Sequence, residues 1–308
     1  MTDVATPLAG LALLFLAACA GAGTKEVTPG RDVVTTVELG PQDVLAGPEA
    51  DAAAEDLVAA LIEDMREALP KGLYPDERAL FKRLNEAGAV WSASPLTALD
   101  WSGVAWGRGP ITTMITDRHG IVSAHVPRSV GDEIRLVTEG GWPIRRTITG
   151  KRVLDRQDGA VLDIAVVRLD EPVPAGIAVY PIAAIDEDVF AAMRSKELPL
   201  LVTFNGRRAT VSTLYTTTSD GRRLLFSAGS RSLPLREDAA HEAEWGDSGH
   251  PSFYVVDGAL VLASHYHTDS MAGAGPNYSD RRVRAAIVEA VAALDAEAAG
   301  AADDGPAL

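Results

Sequence analysis

The segment Gly246-Asp247-Ser248-Gly249 contains the serine that is best placed for nucleophilic chemistry. A serine between two glycines can lie on a tight turn, because small neighbours leave its hydroxyl open to a substrate. Backbone N–H groups of such a turn can also point at the oxyanion that forms when a carbonyl is attacked. A serine hydroxyl is a weak nucleophile until a base takes its proton. A base, and a group that orients this base, must therefore come from elsewhere in the chain.

Two earlier segments offer candidates for this base and its partner. His125 follows the apolar run Ile121–Ala124, which predicts a buried strand that ends in a histidine. Asp163 opens a β-branched run, which predicts a second strand. Asp155 and Asp158 lie in a turn-like stretch just before it and compete for the same role. A buried aspartate needs a partner for its charge, and a histidine would provide one.

The order His, Asp, Ser, with spacings of 38 and 85 residues, resembles that of the chymotrypsin-like (trypsin-like) serine peptidases. The resemblance covers roughly Leu96–Leu294. Thr116–Gly120 is similar to the turn that leads to the catalytic histidine of that family, and Gly258–Ser264 to the strand after the nucleophile. Among the competing aspartates, only Asp163 is followed by the family's strand motif.

The resemblance implies a serine endopeptidase that cleaves protein or peptide substrates without a cofactor. Ser248 would be the nucleophile, and His125 the general base that Asp163 orients. The backbone N–H groups of Gly246 and Ser248 would form the oxyanion hole, which contributes roughly 3–4 kcal/mol per donor.

The resemblance also implies an all-β fold of two six-stranded antiparallel β-barrels, with an N-terminal helical segment and a C-terminal helix. The peptidase domain would span 95–299, with barrels at about 95–185 and 195–270, a helix at Arg281–Ala299 and a flexible tail at 300–308. Short β-branched runs separated by turn residues agree with this. They predict strands at Ile111–Thr116, Glu133–Glu139, Ile144–Leu154, Val161–Leu169, Leu200–Phe204, Arg208–Thr217, Arg222–Phe226, Phe253–Val256 and Leu260–His267.

Substrate preference stays open in the sequence. Glu242 lies six residues before the nucleophile, where the family has the base of its primary pocket, and a carboxylate there would favour Lys or Arg side chains. Ser264 and Tyr266 fall on the pocket wall, where Tyr266 would shorten or close the pocket and a wall histidine would instead receive an acidic side chain. These alternatives predict opposite substrates.

The remaining histidines raise the question of a metal site. His241, His250, His265 and His267 cluster in the sequence, and His265 and His267 alternate along a predicted strand, so they face the same way. Zinc needs three or four ligands, and the single cysteine lies far away near the start of the chain. We expect solvated or pocket-lining histidines and no metal. His119 falls in a polar turn and is expected to be solvent-exposed.

The start of the chain resembles a bacterial lipoprotein signal. Leu8–Ala18 is an apolar run of 11 residues, which suits a signal-peptide core, and Leu16–Cys19 resembles a lipobox. This predicts a signal peptide at 1–18, lipidation of Cys19 and anchoring to a lipid bilayer in the bacterial cell envelope. The segment before the apolar run has Asp3 and no Lys or Arg, which departs from the usual pattern. The alternative is a buried apolar helix with an incidental cysteine.

Residues 19–50 are rich in Ala, Gly, Pro and Thr and predict a lipidated tether, and 51–94 predict a helical extension. Apolar residues four apart favour a first helix at Asp51–Leu69. Asp76 would cap a second helix that Gly88 ends. This pair would pack outside the first barrel or, as the alternative, cover the cleft as a prodomain.

Composition excludes some classes of function. The 308-residue chain has a formal net charge of −15, which argues against nucleic acid as a partner. After Cys19 it has no cysteine, so stability must come from core burial and not from disulfides. The sequence leaves the oligomeric state open. The alternative to an active peptidase is a lipoprotein that keeps the peptidase fold as a binding or scaffold protein.

Overall fold

The computed structural model describes residues 31, 33–39, 48–69, 78–106, 111–157, 160–185, 187–204, 207–228, 248–267 and 273–303. Within them the chain is mostly β-sheet, with three α-helices and a short 3-10 helix at Pro95–Ala98. The helices are α1 (Pro48–Ala68), α2 (Glu187–Ser195) and α3 (Arg281–Asp303). The predicted signal peptide, Cys19, Glu242 and Gly246 lie outside the described residues.

The strands of the described residues form a five-stranded sheet, an eight-stranded sheet and one two-stranded hairpin. The strands are β1 (Thr36–Leu39), β2 (Phe81–Asn85), β3 (Gly88–Trp91), β4 (Thr113–Met114), β5 (His119–Ser123), β6 (Glu133–Val137), β7 (Pro143–Gln157), β8 (Ala160–Leu169), β9 (Ile182–Ile185), β10 (Pro199–Phe204), β11 (Arg208–Thr217), β12 (Arg223–Ala228), β13 (Pro251–Val256), β14 (Ala259–His265) and β15 (Ala274–Pro276). One sheet has the order β4-β5-β8-β7-β6, the other has the order β1-β9-β14-β13-β10-β11-β12-β15, and β2 pairs with β3.

The two large sheets share one core. Ile121 and Val166 of the five-stranded sheet belong to the same buried cluster as Leu201 and Phe253 of the eight-stranded sheet. A second cluster joins α1 and α2 to the eight-stranded sheet, and α3 packs against β7 and β8. The junction between the sheets is therefore an apolar interface to which residues of β5, β8 and β13 contribute.

Much of the predicted secondary structure is confirmed. Each of the nine strands predicted from the β-branched runs has a counterpart, and the strand predicted before His125 forms as β5, which ends at Ser123. The C-terminal helix also forms, although it continues to Asp303 into the predicted tail. The structure confirms a β-rich fold. Two six-stranded barrels stay a prediction.

The predicted second helix is wrong, because this segment forms the hairpin β2–β3. Phe81 and Leu84 are spaced as on a helix face, but an irregular register between Phe81 and Arg83 turns both side chains to the buried side of a strand. The Phe81 ring also lies 4.3 Å from the ring of Trp91 across the hairpin. Gly88 has φ +136° where the second strand begins. Within its described residues, the extension at 51–94 thus contains one helix and a hairpin.

The predicted tether contains ordered structure. Strand β1 pairs in parallel with β9, and Leu39 is buried against the cluster around α1. Helix α1 begins at Pro48, where the fixed φ of proline suits the first turn. No helix of the described part is both long and apolar enough to cross a membrane.

Candidate active site

His125 and Asp163 meet where β5 ends beside β8. The two strands pair antiparallel with Ser123 opposite Ile164, and the Ala124 N–H donates to the Asp163 carbonyl at 3.0 Å. The backbone N–H of His125 donates to Asp163 Oδ1 at 2.8 Å, and His125 Nδ1 donates to Asp163 Oδ2 at 2.8 Å. The carboxylate therefore fixes both the position of His125 and its Nδ1–H tautomer.

Ser123 adds a third group to this pair. Its hydroxyl donates to Asp163 Oδ2 at 2.5 Å and lies 2.8 Å from His125 Nδ1, from which it can accept. Ser123 precedes His125 by two positions, so the alternation of the predicted strand indicates that both side chains face the same way. The sequence alone does not assign Ser123 a role.

His265, at the end of β14, and His267, two residues beyond it, also contact Asp163. The alternation predicted that these two side chains face the same way, but it did not predict their contact with Asp163. His267 Nδ1 donates to Asp163 Oδ2, and its ring lies 5.3 Å from the ring of His125. His265 Nε2 donates to the Asp163 carbonyl at 3.1 Å, so its Nδ1 accepts from the Tyr278 hydroxyl at 2.5 Å. Asp163 thus connects the two sheets.

The hydrogen bonds at Asp163 decide its protonation. Burial raises the pKa of the Asp163 carboxyl, but hydrogen bonds from His265, His267 and Ser123 outweigh this effect and hold the pKa far below its usual range. Burial lowers the pKa of His265, and the nearby Asp163 offsets this only in part. Around neutral pH the site therefore holds a carboxylate beside a neutral His265.

Ser248 lies half-buried on the turn that leads into β13. Gly249 follows with φ +86°, and a Cβ atom added to it would lie 3.5 Å from the Cβ of Ser123. The Gly249 N–H donates to the Tyr266 carbonyl at 2.7 Å. The backbone of Gly249 thus lies near Ser123 at the end of β5, although within the described residues no hydrogen bond joins Ser248 to His125.

Among the described residues, the hydrogen bonds of the His125 ring leave one nitrogen for chemistry. These hydrogen bonds use Nδ1, and the His125 side chain is 47% exposed, whereas that of Asp163 is 3% exposed. Nε2 is the atom that can face a substrate or the Ser248 hydroxyl.

The predicted pocket residues Ser264 and Tyr266 are both buried. The Ser264 hydroxyl donates to the Pro276 carbonyl at 2.7 Å. The Tyr266 ring packs against Val202, and a Cβ atom on Gly273 would come within 2.4 Å of it. Tyr266 therefore fills the space beside β15. Glu242, the third predicted pocket residue, lies outside the described residues.

The prediction that His119 is exposed is wrong. The residue is 1% exposed at the start of β5, where its Nδ1 lies 2.9 Å from Thr116 Oγ1 and its Nε2 3.3 Å from Asp295 Oδ1 on α3. Burial lowers the pKa of His119 to about 4, although the Asp295 carboxylate acts in the opposite direction. The turn was polar in sequence, but helix α3 covers it.

The structure also assembles a group of metal-ligand type that our sequence analysis did not. His125, Asp163 and His267 each offer a ligand atom, and these atoms lie within 4.8 Å of one another. Sequence reasoning had grouped the C-terminal histidines with each other, whereas the fold brings one of them to His125.

In comparisons with known proteins, no family model and no curated protein matches this chain.

Proposed function

We propose that this chain is a serine endopeptidase that cleaves peptide bonds through an acyl-enzyme on Ser248. The observation that carries the proposal is the double attachment of His125 to Asp163, which leaves Nε2 as the free basic atom. An orienting carboxylate on Nδ1 is what a histidine needs to act as a general base.

In the proposed reaction, His125 Nε2 takes the proton of the Ser248 hydroxyl as its oxygen attacks the substrate carbonyl. The protonated imidazole then gives this proton to the leaving amine, and water hydrolyses the acyl-enzyme by the same route. Asp163 stabilises the imidazolium with its charge. The backbone N–H groups of Ser248 and Gly246 would hold the oxyanion.

The distribution of these residues between the sheets supports the proposal. Asp163 lies on β8 of the five-stranded sheet and His125 lies in the turn just after β5 of the same sheet, whereas Ser248 lies three residues before β13 of the eight-stranded sheet. The resemblance to chymotrypsin-like peptidases implies this division between a first and a second barrel. Two barrels with the site at their junction are therefore the finer fold that we propose.

The proposed location is the bacterial cell envelope, with the lipidated Cys19 in a bilayer and protein or peptide as the substrate. Mass analysis of the mature N-terminus should find an acylated Cys19, and Cys19→Ser should release or misprocess the protein. An unmodified chain that begins at Met1 would contradict this part alone.

One observation favours the second candidate, a binding or scaffold protein with the peptidase fold. The Ser248 hydroxyl has no hydrogen bond to His125 among the described residues. Catalytic hydrogen bonds are often long in substrate-free sites and tighten when substrate binds, so the peptidase proposal does not require this bond in the free protein.

Labelling with a fluorophosphonate distinguishes the two candidates. An active site should modify Ser248, and both Ser248→Ala and His125→Ala should stay unlabelled. As a matched control, Ser195→Ala changes an exposed serine whose hydroxyl donates to the Ala192 carbonyl on α2, and it should be labelled like the wild type. A folded wild-type chain that is not labelled would overturn the peptidase proposal and favour the scaffold.

A further inference from the structure

The Oδ2 atom of Asp163 has an imidazole nitrogen on two sides. His125 Nδ1 lies 2.8 Å away, and His267 Nδ1 is also in hydrogen-bond contact. Two imidazoles and one carboxylate are ligands that zinc and other divalent transition metals accept. A triad histidine needs only its carboxylate, so the function proposed above leaves the second imidazole unexplained.

We propose that His125, Asp163 and His267 form a binding site for a divalent transition-metal ion such as Zn²⁺, and that this ion inhibits the enzyme. The binding stands on the geometry of the three side chains. The inhibition rests on the proposed peptidase function.

The distances suit such an ion. Zinc lies about 2.0–2.2 Å from nitrogen and oxygen ligands, so two ligands of one tetrahedral ion are roughly 3.4 Å apart. The three ligand atoms lie within 4.8 Å of one another, and Asp163 Oδ2 is in hydrogen-bond contact with both imidazoles. These hydrogen bonds must open when the ion enters, which requires side-chain shifts of about 1 Å. A further hydrogen bond orients the carboxylate, because the His125 backbone N–H donates to Asp163 Oδ1, the oxygen that would not bind the ion.

Exposure gives the ion a path of entry. Asp163 is 3% exposed, but the side chains of His267 and His125 are 22% and 47% exposed. Solvent therefore reaches the two imidazoles from the outside, and a water molecule can supply a fourth ligand. The ligand set carries a single negative charge, which makes a divalent cation a better occupant than a neutral molecule.

His265 is excluded from the ligand set by its own hydrogen bonds. Its Nε2 lies 3.8 Å from Asp163 Oδ2 and donates to the Asp163 carbonyl. Its Nδ1 accepts from the Tyr278 hydroxyl. Both ring nitrogens are therefore occupied, and His265 supports Asp163 from the buried side.

Inhibition follows from the tautomer of His125. Coordination through Nδ1 uses the lone pair of this atom, so the proton that Nδ1 carries in the metal-free site moves to Nε2. An Nε2–H cannot accept the proton of Ser248. The metal thus blocks the base without touching the nucleophile, and removal of the ion restores the original tautomer.

Isothermal titration of the full chain with Zn²⁺ tests the binding without any need for activity. We expect one equivalent to bind, and Ser248→Ala, which keeps all three ligands, to bind as tightly as the wild type. His267→Gln should weaken binding at least about tenfold. Mg²⁺, which prefers oxygen ligands, should not bind at this site. Circular dichroism checks that each variant folds, and His125→Gln provides a second ligand variant if His267→Gln does not.

Two results would overturn the site: no Zn²⁺ binding by the folded wild type, or equal binding by the wild type and a folded ligand variant.

The test of inhibition adds Zn²⁺ during fluorophosphonate labelling and then removes it with a chelator. Labelling should be lost and regained. Absent labelling without metal contradicts the peptidase, whereas normal labelling with saturating bound Zn²⁺ contradicts only the inhibition.

Discussion

The carboxylate of Asp163 holds His125 at two points, since one oxygen accepts from the backbone N–H and the other from Nδ1, each at 2.8 Å. The backbone bond fixes the end of β5, and the side-chain bond fixes the rotation of the ring. A single residue on β8 thus determines both the location and the tautomer of the proposed base.

Asp163→Asn should lower kcat/KM about 10⁴-fold, because an amide can present an N–H to His125 and stabilise the wrong tautomer. Steady-state cleavage of a peptide substrate measures this loss. Asparagine tolerates positive φ, and Asp163 has φ 56°, so we expect the backbone to keep its conformation.

Asp257→Asn is the matched control for this change. Asp257 also has positive φ, 49°, and lies on the exposed turn between β13 and β14. This variant should keep wild-type activity. Equal activity in both variants would show that Asp163 does not orient the base.

Ser123→Ala should lower kcat roughly tenfold to a hundredfold with little change in KM, because it removes a hydrogen bond to a charged group next to the base. Ser102→Ala is the matched control, since the buried Ser102 hydroxyl donates to Asp100 Oδ1 at 2.6 Å. Both variants should lose some stability in urea unfolding. Only the change at Ser123 should lower kcat, and an equal effect of both on kcat would contradict a positioning role.

The sequence allowed the pair His125 and Asp163 to be predicted because each residue adjoins a strongly apolar strand. Strands of this kind are buried and become neighbours in a sheet. The role of His267 could not be predicted in the same way, because its contact with Asp163 spans 104 positions and depends on how the two sheets meet. Strand alternation could predict that Ser123 faces the same way as His125, but serine is too common a residue for its presence there to indicate a role.

The wrong predictions about the fold have similar causes. The irregular register near Phe81 gives a strand the apolar spacing of a helix, so periodicity alone predicted the wrong element. Strand β1 is only four residues long and is formed by parallel pairing with β9, far along the chain. His119 lies in a polar turn that is buried because α3 packs over it, and the local sequence does not indicate this long-range contact.

The buried His119 should make folding sensitive to mild acid. Its pKa is about 4 in the folded protein and 6.5 in the unfolded chain, so between these values the unfolded state binds more protons. The contribution of His119 to the free energy of unfolding is therefore at its full value above pH 6.5. As the pH drops towards 4, the free energy of unfolding falls by about 3 kcal/mol in all.

Urea unfolding at pH 7 and pH 5 measures this effect, with Ser248→Ala as the background to prevent self-cleavage. Adding His119→Asn should remove about 2 kcal/mol of the pH dependence, which is the part expected between these two values. His119→Gln serves as a second replacement that does not titrate. If both replacements leave the pH dependence unchanged, His119 is not the group responsible.

Gly249→Ala should reduce both stability and activity, because it strains the turn that carries Ser248. The strain comes from the backbone, since φ is +86° at this residue, whereas the added Cβ would make only an ordinary van der Waals contact with Ser123 at 3.5 Å. Gly258→Ala isolates the backbone cost, since φ is +72° there and no atom lies within 4 Å of the added Cβ. Each change should lower the free energy of unfolding by about 1 kcal/mol. Only Gly249→Ala should slow fluorophosphonate labelling. Equal labelling rates in the two folded variants would show that the conformation of this turn does not affect the reactivity of Ser248.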